Sequence, residues 1–248
     1  MEALVGIAII IILASIAYPI WMSSRQKANR AAALRKMEQL GSALIHYTGD
    51  NNGLLPKEEA DSGQGSWEAA SRPDADDAWY NALPRLAGGK GTGDYFKEGN
   101  PAGFYAKDSL LSLQGVKYPK TQMRKPMYAF AYNTKLHRKD TTTGQKPRVN
   151  ISKLANPARV VALIEQGLKN EKRPMGGMKP YDGDDCKAGP KQFVARWSDQ
   201  GMLVFLDGHV EQVKAAQVLD NSAGLHIKWN ATDTSSIFWC PDVTEDPN

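Results

Sequence analysis

Three acidic side chains crowd one short stretch, Asp182, Asp184 and Asp185 in the run YDGDDC. Carboxylate oxygens this close together can ligate Ca²⁺, a hard cation that takes oxygen ligands. The spacing fits no EF-hand loop, so a solvated acidic turn is the plainer reading. The stretch GGKGTG from Gly88 to Gly93 has the glycines of a phosphate loop. A glycine follows Lys90 where Ser or Thr is needed, and no strand leads into it, so it reads as a turn. His46, His137, His209 and His226 share no metal-ligand spacing, and there is no Gly-x-Ser-x-Gly nucleophile elbow. Glu165 closes an apolar run, which a charged strand end explains. Catalysis is therefore not expected, and neither is a resident cofactor beyond the candidate Ca²⁺.

The most unusual carboxylate is at the other end. Glu2 precedes ALVGIAIIIILASIAYPIWM, residues 3 to 22, which contain no charge. Twenty residues at about 1.5 Å each span about 30 Å, the thickness of a bilayer's hydrocarbon core. An ionised carboxylate at the edge of such a segment is costly unless it is paired or neutralised, and nothing in its own segment can pair it. Pro19, inside the same pattern, removes a backbone hydrogen bond and is expected to kink the rod. A cleaved signal peptide is the competing reading. Against it stand the missing basic n-region, the length of the apolar run and the helix that continues from it.

The elements that must position these residues follow. Leu34, Met37, Leu40, Ala43, Leu44 and Tyr47 recur at spacings of three and four, so an amphipathic helix continues past residue 24 until Gly49-Asp50-Asn51-Asn52-Gly53 and Pro56 end it. Residues 57–125 are rich in Gly, Pro, Asp and Lys, and predict short helices between loops. Strands are predicted at 127–132, 159–164, 202–206 and 209–213, with a further candidate at 193–197. Asp207-Gly208 predicts a two-residue type I′ hairpin turn. The fold class is α+β: a long helix packed on a mainly antiparallel sheet. The divisions are 1–24, the transmembrane half of the helix; 25–56, its amphipathic half; 57–125, a variable region; 126–218, the sheet head; and 219–248, an irregular tail pinned by aromatics.

With 248 residues and a net charge of +4 from 31 basic and 27 acidic side chains, the chain requires no nucleic acid as partner. Its two cysteines, Cys186 and Cys240, would form a bridge in an oxidising compartment, and two separate thiols in a reducing one. Trp67, Trp79 and Trp229 are candidates for gripping a ligand if exposed, and core residues otherwise.

The opening resembles the N-terminus of type IV pilins and type II secretion pseudopilins, with Glu2, Ala8, Ile9, Ile10, Leu13, Ala14, Ala17 and Pro19 on matching positions. Tyr47 to Pro56 resembles the end of the long helix in major pseudopilins. Residues 195 to 213 are similar to the processing-associated domain of planctomycete and verrucomicrobial prepilin-like proteins, whose signature is His, nine residues, then Asp-Gly. Asp207 and Gly208 fit that signature, and Trp197 stands where the His belongs, so any ligand or base duty of the His is not carried over.

The resemblance implies a pilin-like fold and a structural role. Glu2 would pair with the N-terminal amine of a neighbouring copy, and Pro19 would be the kink. The partners implied are copies of the same chain in a helical filament, a prepilin peptidase, the pilus or secretion machinery, and inner-membrane lipid before assembly, with the head in the periplasm. Major pseudopilins also carry calcium in a C-terminal loop. Family members keep three residues before the glutamate and a basic leader before those. Arg25, Lys27, Arg30, Arg35 and Lys36 follow the apolar run and no basic residue precedes it, so an upstream leader is expected and Met1 is expected to be internal. A membrane-tethered binding module that does not polymerise is the alternative.

Overall fold

The computed structural model describes residues 2–61, 66–118, 124–137, 147–169, 171–173, 181, 183, 185–220, 226–233 and 235–248; the side chains of 2–6 and 8–10 lie outside that description. The fold is α+β, as the periodicities require. Helix α1, Glu2–Asp50, runs through Pro19 without a break and at about 1.5 Å per residue is roughly 70 Å long. It stops where Asn52 and Gly53 turn left-handed, with φ of 54° and 81°, and Gly53 N–H returns to Thr48 O at 2.7 Å.

The two halves of α1 have different surroundings. Met37, Leu40 and Leu44 are wholly buried, whereas Ile11, Ile12, Leu13, Ile16, Ile20 and Trp21 are exposed. Among the described residues no helix is long and apolar enough to cross a membrane. Seven positions of the apolar run, 3–6 and 8–10, have side chains outside the description.

Two basic residues expected to flank the apolar run turn inward instead. Lys36 is buried and donates to Ser112 O at 2.8 Å, and burial pulls its ammonium pKa down to about 8. Arg30 donates through Nε to Gln212 Oε1 at 2.8 Å and through Nη2 to Gln200 Oε1 at 2.6 Å, tying the helix to the sheet.

The variable region forms short helices α2, Trp67–Ala70, α3, Trp79–Leu86, and α4, Thr92–Lys97. Aromatic rings join it to the core that α1 and the sheet share: Phe104 meets Trp67 at 5.4 Å and Tyr128 at 5.4 Å, both edge to face. The GGKGTG stretch is a close-packed turn. The Asn81 amide donates to Ala70 O and Ala75 O, and its oxygen accepts from Gly93 N, leaving no room for a side chain at Gly93.

The strands are β1, Phe130–Asn133, β2, Val161–Glu165, β3, Lys187–Ala188, β4, Gln200–Phe205, and β5, Val210–Lys214. Their order is β3-β1-β2-β4-β5, antiparallel except for β1 with β3. Residues 193–197 make only one bridge, Phe193 to Gln166, rather than a full strand.

The sheet is covered on both faces, one of them by the α1 stripe as expected. The α1 stripe packs in one cluster with Leu163, Met202 and Val204. Ile164, Leu203 and Phe205 pack in the other with Val218 of helix α5, Ala215–Val218, with Leu219 and Ile227 of the hairpin β6, Leu219–Asp220, and β7, His226–Ile227, and with Trp239 of the tail.

The β4–β5 turn corrects one expectation. Phe205 N–H donates to His209 O and Gly208 N–H to Phe205 O, at 3.0 and 2.9 Å. Of these turn residues only Gly208 has positive φ, 86°, so the loop is a three-residue turn closed by a left-handed glycine, not a type I′ turn. The reason for the glycine is contact with the helix. A Cβ on Gly208 would lie 2.7 Å from Ile45 Cγ1 and 2.9 Å from Gly41 O, and one on Gly41 would collide with Gly208 O. Gly208→Ala is expected to cost about 2–4 kcal/mol by urea denaturation, combining the left-handed penalty with overpacking. A loss below about 1 kcal/mol would mean the contact yields freely.

Candidate functional site

The residues nominated from sequence do not converge. The backbone of Glu2 belongs to α1, and its side chain lies outside the described residues, as do Asp182 and Asp184 altogether. Asp185 is described. Its Oδ1 accepts the Cys186 N–H at 2.8 Å, and burial pushes its pKa up. Among the described residues no three His, Cys, Asp or Glu side chains could hold a metal.

The expected cysteine bridge is not formed, although Cys186 and Cys240 are both described and both buried. The Cys186 thiol points elsewhere, donating to Glu58 O at 3.2 Å. Burial, with Asp185 and Glu59 nearby, raises its pKa well above the usual thiol range and keeps it protonated. Trp67 and Trp79 are core residues, and Trp229 is half-buried with its indole N–H on Val243 O at 3.1 Å. None of the three is a free aromatic platform.

What converges instead lies at the end of β2. All five residues of that strand are buried, Glu165 included, with no exposed side-chain surface. Its Oε1 accepts from Arg196 Nη1 at 2.9 Å and from the Trp197 indole at 3.0 Å, and its Oε2 accepts from Met202 N–H at 3.0 Å. Arg196, only 7% exposed, also donates through Nε to Glu171 Oε1 at 2.6 Å, and through Nη2 to Glu171 Oε2 and Gln166 O. One guanidinium thus spans two carboxylates, and all its nitrogens are engaged.

The charges are opposed by burial. Desolvation pushes the Glu165 carboxyl above its ordinary range, with Arg196, Met202 and Trp197 pulling it back. For Arg196 desolvation also disfavours the charge, and the two carboxylates overcome it and hold the guanidinium protonated. Trp197, which cannot act as base or ligand, supplies a donor to a buried acid.

The turn after Trp197 orients this cluster. Trp197 and Gln200 exchange backbone hydrogen bonds at 2.9 and 3.2 Å, and Ser198 and Asp199 between them have φ of 53° and 64°. This is the type I′ geometry expected at Asp207-Gly208, here built on two non-glycine residues that favour other conformations. Asp199 is exposed, so Asp199→Gly is expected to stabilise the fold by about 0.5–1 kcal/mol, net of glycine's freedom in the unfolded chain. No gain in thermal or urea stability would show the turn to be unstrained.

Glu171, Arg196 and Trp197 also line an open cleft of about 990 Å³, whose opposite wall is α1 from Tyr18 to Asn29. The sequence reading missed this assembly because Arg196, Trp197 and Met202 lie 31, 32 and 37 positions from Glu165. The available signal was an acid closing an entirely apolar strand. The geometry is that of a rigid structural joint at the base of the head, next to the bare half of the helix. No family model matches the chain, and no curated protein and no solved structure matches it.

Proposed function

We propose that the chain is a structural subunit, pilin or pseudopilin, of a type IV pilus-like or type II secretion filament. It waits in the inner membrane with its head in the periplasm, and assembles through the N-terminal half of α1. The observation that carries this reading is a continuous helix on which the described apolar side chains from Ile11 to Met22 stand bare. Ile11, Leu13, Ile16, Tyr18 and Ile20 are each 58–64% exposed on successive turns and on all sides. Covering each large apolar side chain returns roughly 1–2 kcal/mol. Bundled helices of other copies supply such a cover in a filament, and lipid supplies it beforehand. The resemblance of the opening to pilins and pseudopilins supports the same reading.

The test uses a single reporter. Ile16→Cys places a thiol on the bare half, while Cys186 and Cys240 are buried. Treating cells with a bismaleimide is expected to convert much of the chain to a covalent dimer, the largest product that one reactive thiol per chain allows. Monomers alone, with the thiol reactive, would return the chain to the alternative of a solitary tethered module.

A further inference from the structure

The cleft of about 990 Å³ between α1 and the base of the head has a size suited to a small ligand, and its lining is sorted along the helix. Tyr18, Pro19 and Met22, on the side of the bare rod, are apolar, and Val116 and Val194 join them. One turn further toward the head comes Arg25, and the head contributes Lys117 and Lys172. Among the described residues none of these three cations is in an ion pair; Arg25 lies over the Trp21 ring at 5.4 Å, and the two lysines are exposed. The one carboxylate in the lining, Glu171, is held bidentately by Arg196. The cleft therefore carries three uncommitted positive charges next to an apolar wall that continues onto the exposed helix.

We propose that this cleft binds an anionic phospholipid, with the phosphate-bearing headgroup held by Arg25, Lys117 and Lys172 and the upper acyl chain against Tyr18, Pro19 and Met22. The placement matches the order of a lipid at an interface: hydrocarbon on the side of the bare rod, phosphate on the side of the head. Each basic residue near an anionic surface favours it by roughly a factor of five. The buried Glu165–Arg196–Glu171 joint keeps the floor fixed, so little ordering is needed when the lipid arrives. This inference rests on the membrane-anchored state of the proposed function.

The full chain is reconstituted into vesicles of phosphatidylcholine and phosphatidylglycerol in equal amounts, floated on a density gradient, and released for native mass spectrometry. Flotation tests the anchored reading, and the identity of retained lipid tests the cleft. Phosphatidylglycerol is expected on the protein with about ten-fold enrichment. The double variant Lys117→Glu, Lys172→Glu is expected to float equally well and lose the enrichment, and Lys117→Arg, Lys172→Arg to keep it. Flotation without lipid preference overturns the site and spares the anchor; failure to float overturns both. Displacement of the lipid by an equal concentration of inorganic phosphate would overturn the lipid assignment in favour of a soluble anion.

Discussion

Glu2→Ala is expected to leave a folded, membrane-inserted subunit and to abolish fibres. Among the described side chains, α1 is covered only in its second half, where Met37, Leu40 and Leu44 are buried. A carboxylate beside an uncharged stretch of twenty residues is costly in hydrocarbon unless a positive charge meets it. In the proposed filament the counter-charge is the N-terminal amine of the adjacent copy, as the resemblance to pilins implies. Removing the acid leaves that amine buried and alone, a loss on the order of 3–5 kcal/mol per subunit. Repeated at every interface, this is enough to stop growth or shift its register. Electron microscopy of cells expressing the variant, with proteolysis of the head as the folding control, decides the matter. Normal fibres would sink the assembly mechanism.

Arg196→Met is expected to be the most destabilising change within the head, by about 3–5 kcal/mol at pH 7, because it strands a buried carboxylate. The effect has a defined pH dependence. Burial already raises the Glu165 pKa above 4.5 in the folded state, and Arg196 is the largest influence holding it down, so the variant raises it further. A carboxyl whose folded pKa exceeds its unfolded value contributes stability that is fully present below about 4.5 and lost as pH rises through the folded value. The gap between wild type and variant therefore narrows on acidification from pH 7 toward 4.5. Urea titrations at the two ends measure it, and a constant or widening gap would show that Glu165 is not the stranded charge. Adding Glu165→Gln to Arg196→Met is expected to recover much of the loss at pH 7, since the wholly buried charge is then gone and the remaining carboxylate, Glu171, still reaches solvent.

Local patterns in the chain foretold the parts of the fold that local patterns govern. The apolar stripe from Leu34 to Tyr47 and the stop at Asn52-Gly53 placed α1, and alternating apolar runs placed β1, β2, β4 and β5 to within about three residues. What escaped depended on contacts between distant segments. The hairpin at Asp207-Gly208 was recognisable, yet its geometry is set by Gly41, 167 positions earlier, because the turn must lie flat on the helix. The type I′ turn sits at Ser198-Asp199, which carry no glycine to announce it. Cys186 and Cys240 suggested a bridge from number alone, whereas the packing directs Cys186 to Glu58 O. Glu165 was dismissed as a charged strand end. Its significance lay in Arg196 and Trp197, and no periodicity links them to it.

Phe238 and Trp239 are woven into the sheet. Phe238 bridges Val160 in parallel, its N–H reaching Arg159 O at 2.8 Å, and Asn133 holds both Val161 O and Trp239 O at 2.8 Å. Trp239 is completely enclosed. A head arranged this way cannot seal its interior until the ribosome has passed Trp239. Until then the long helix and all five strands of the sheet stay half-clothed, and a stop before that point would release a chain with an open seam.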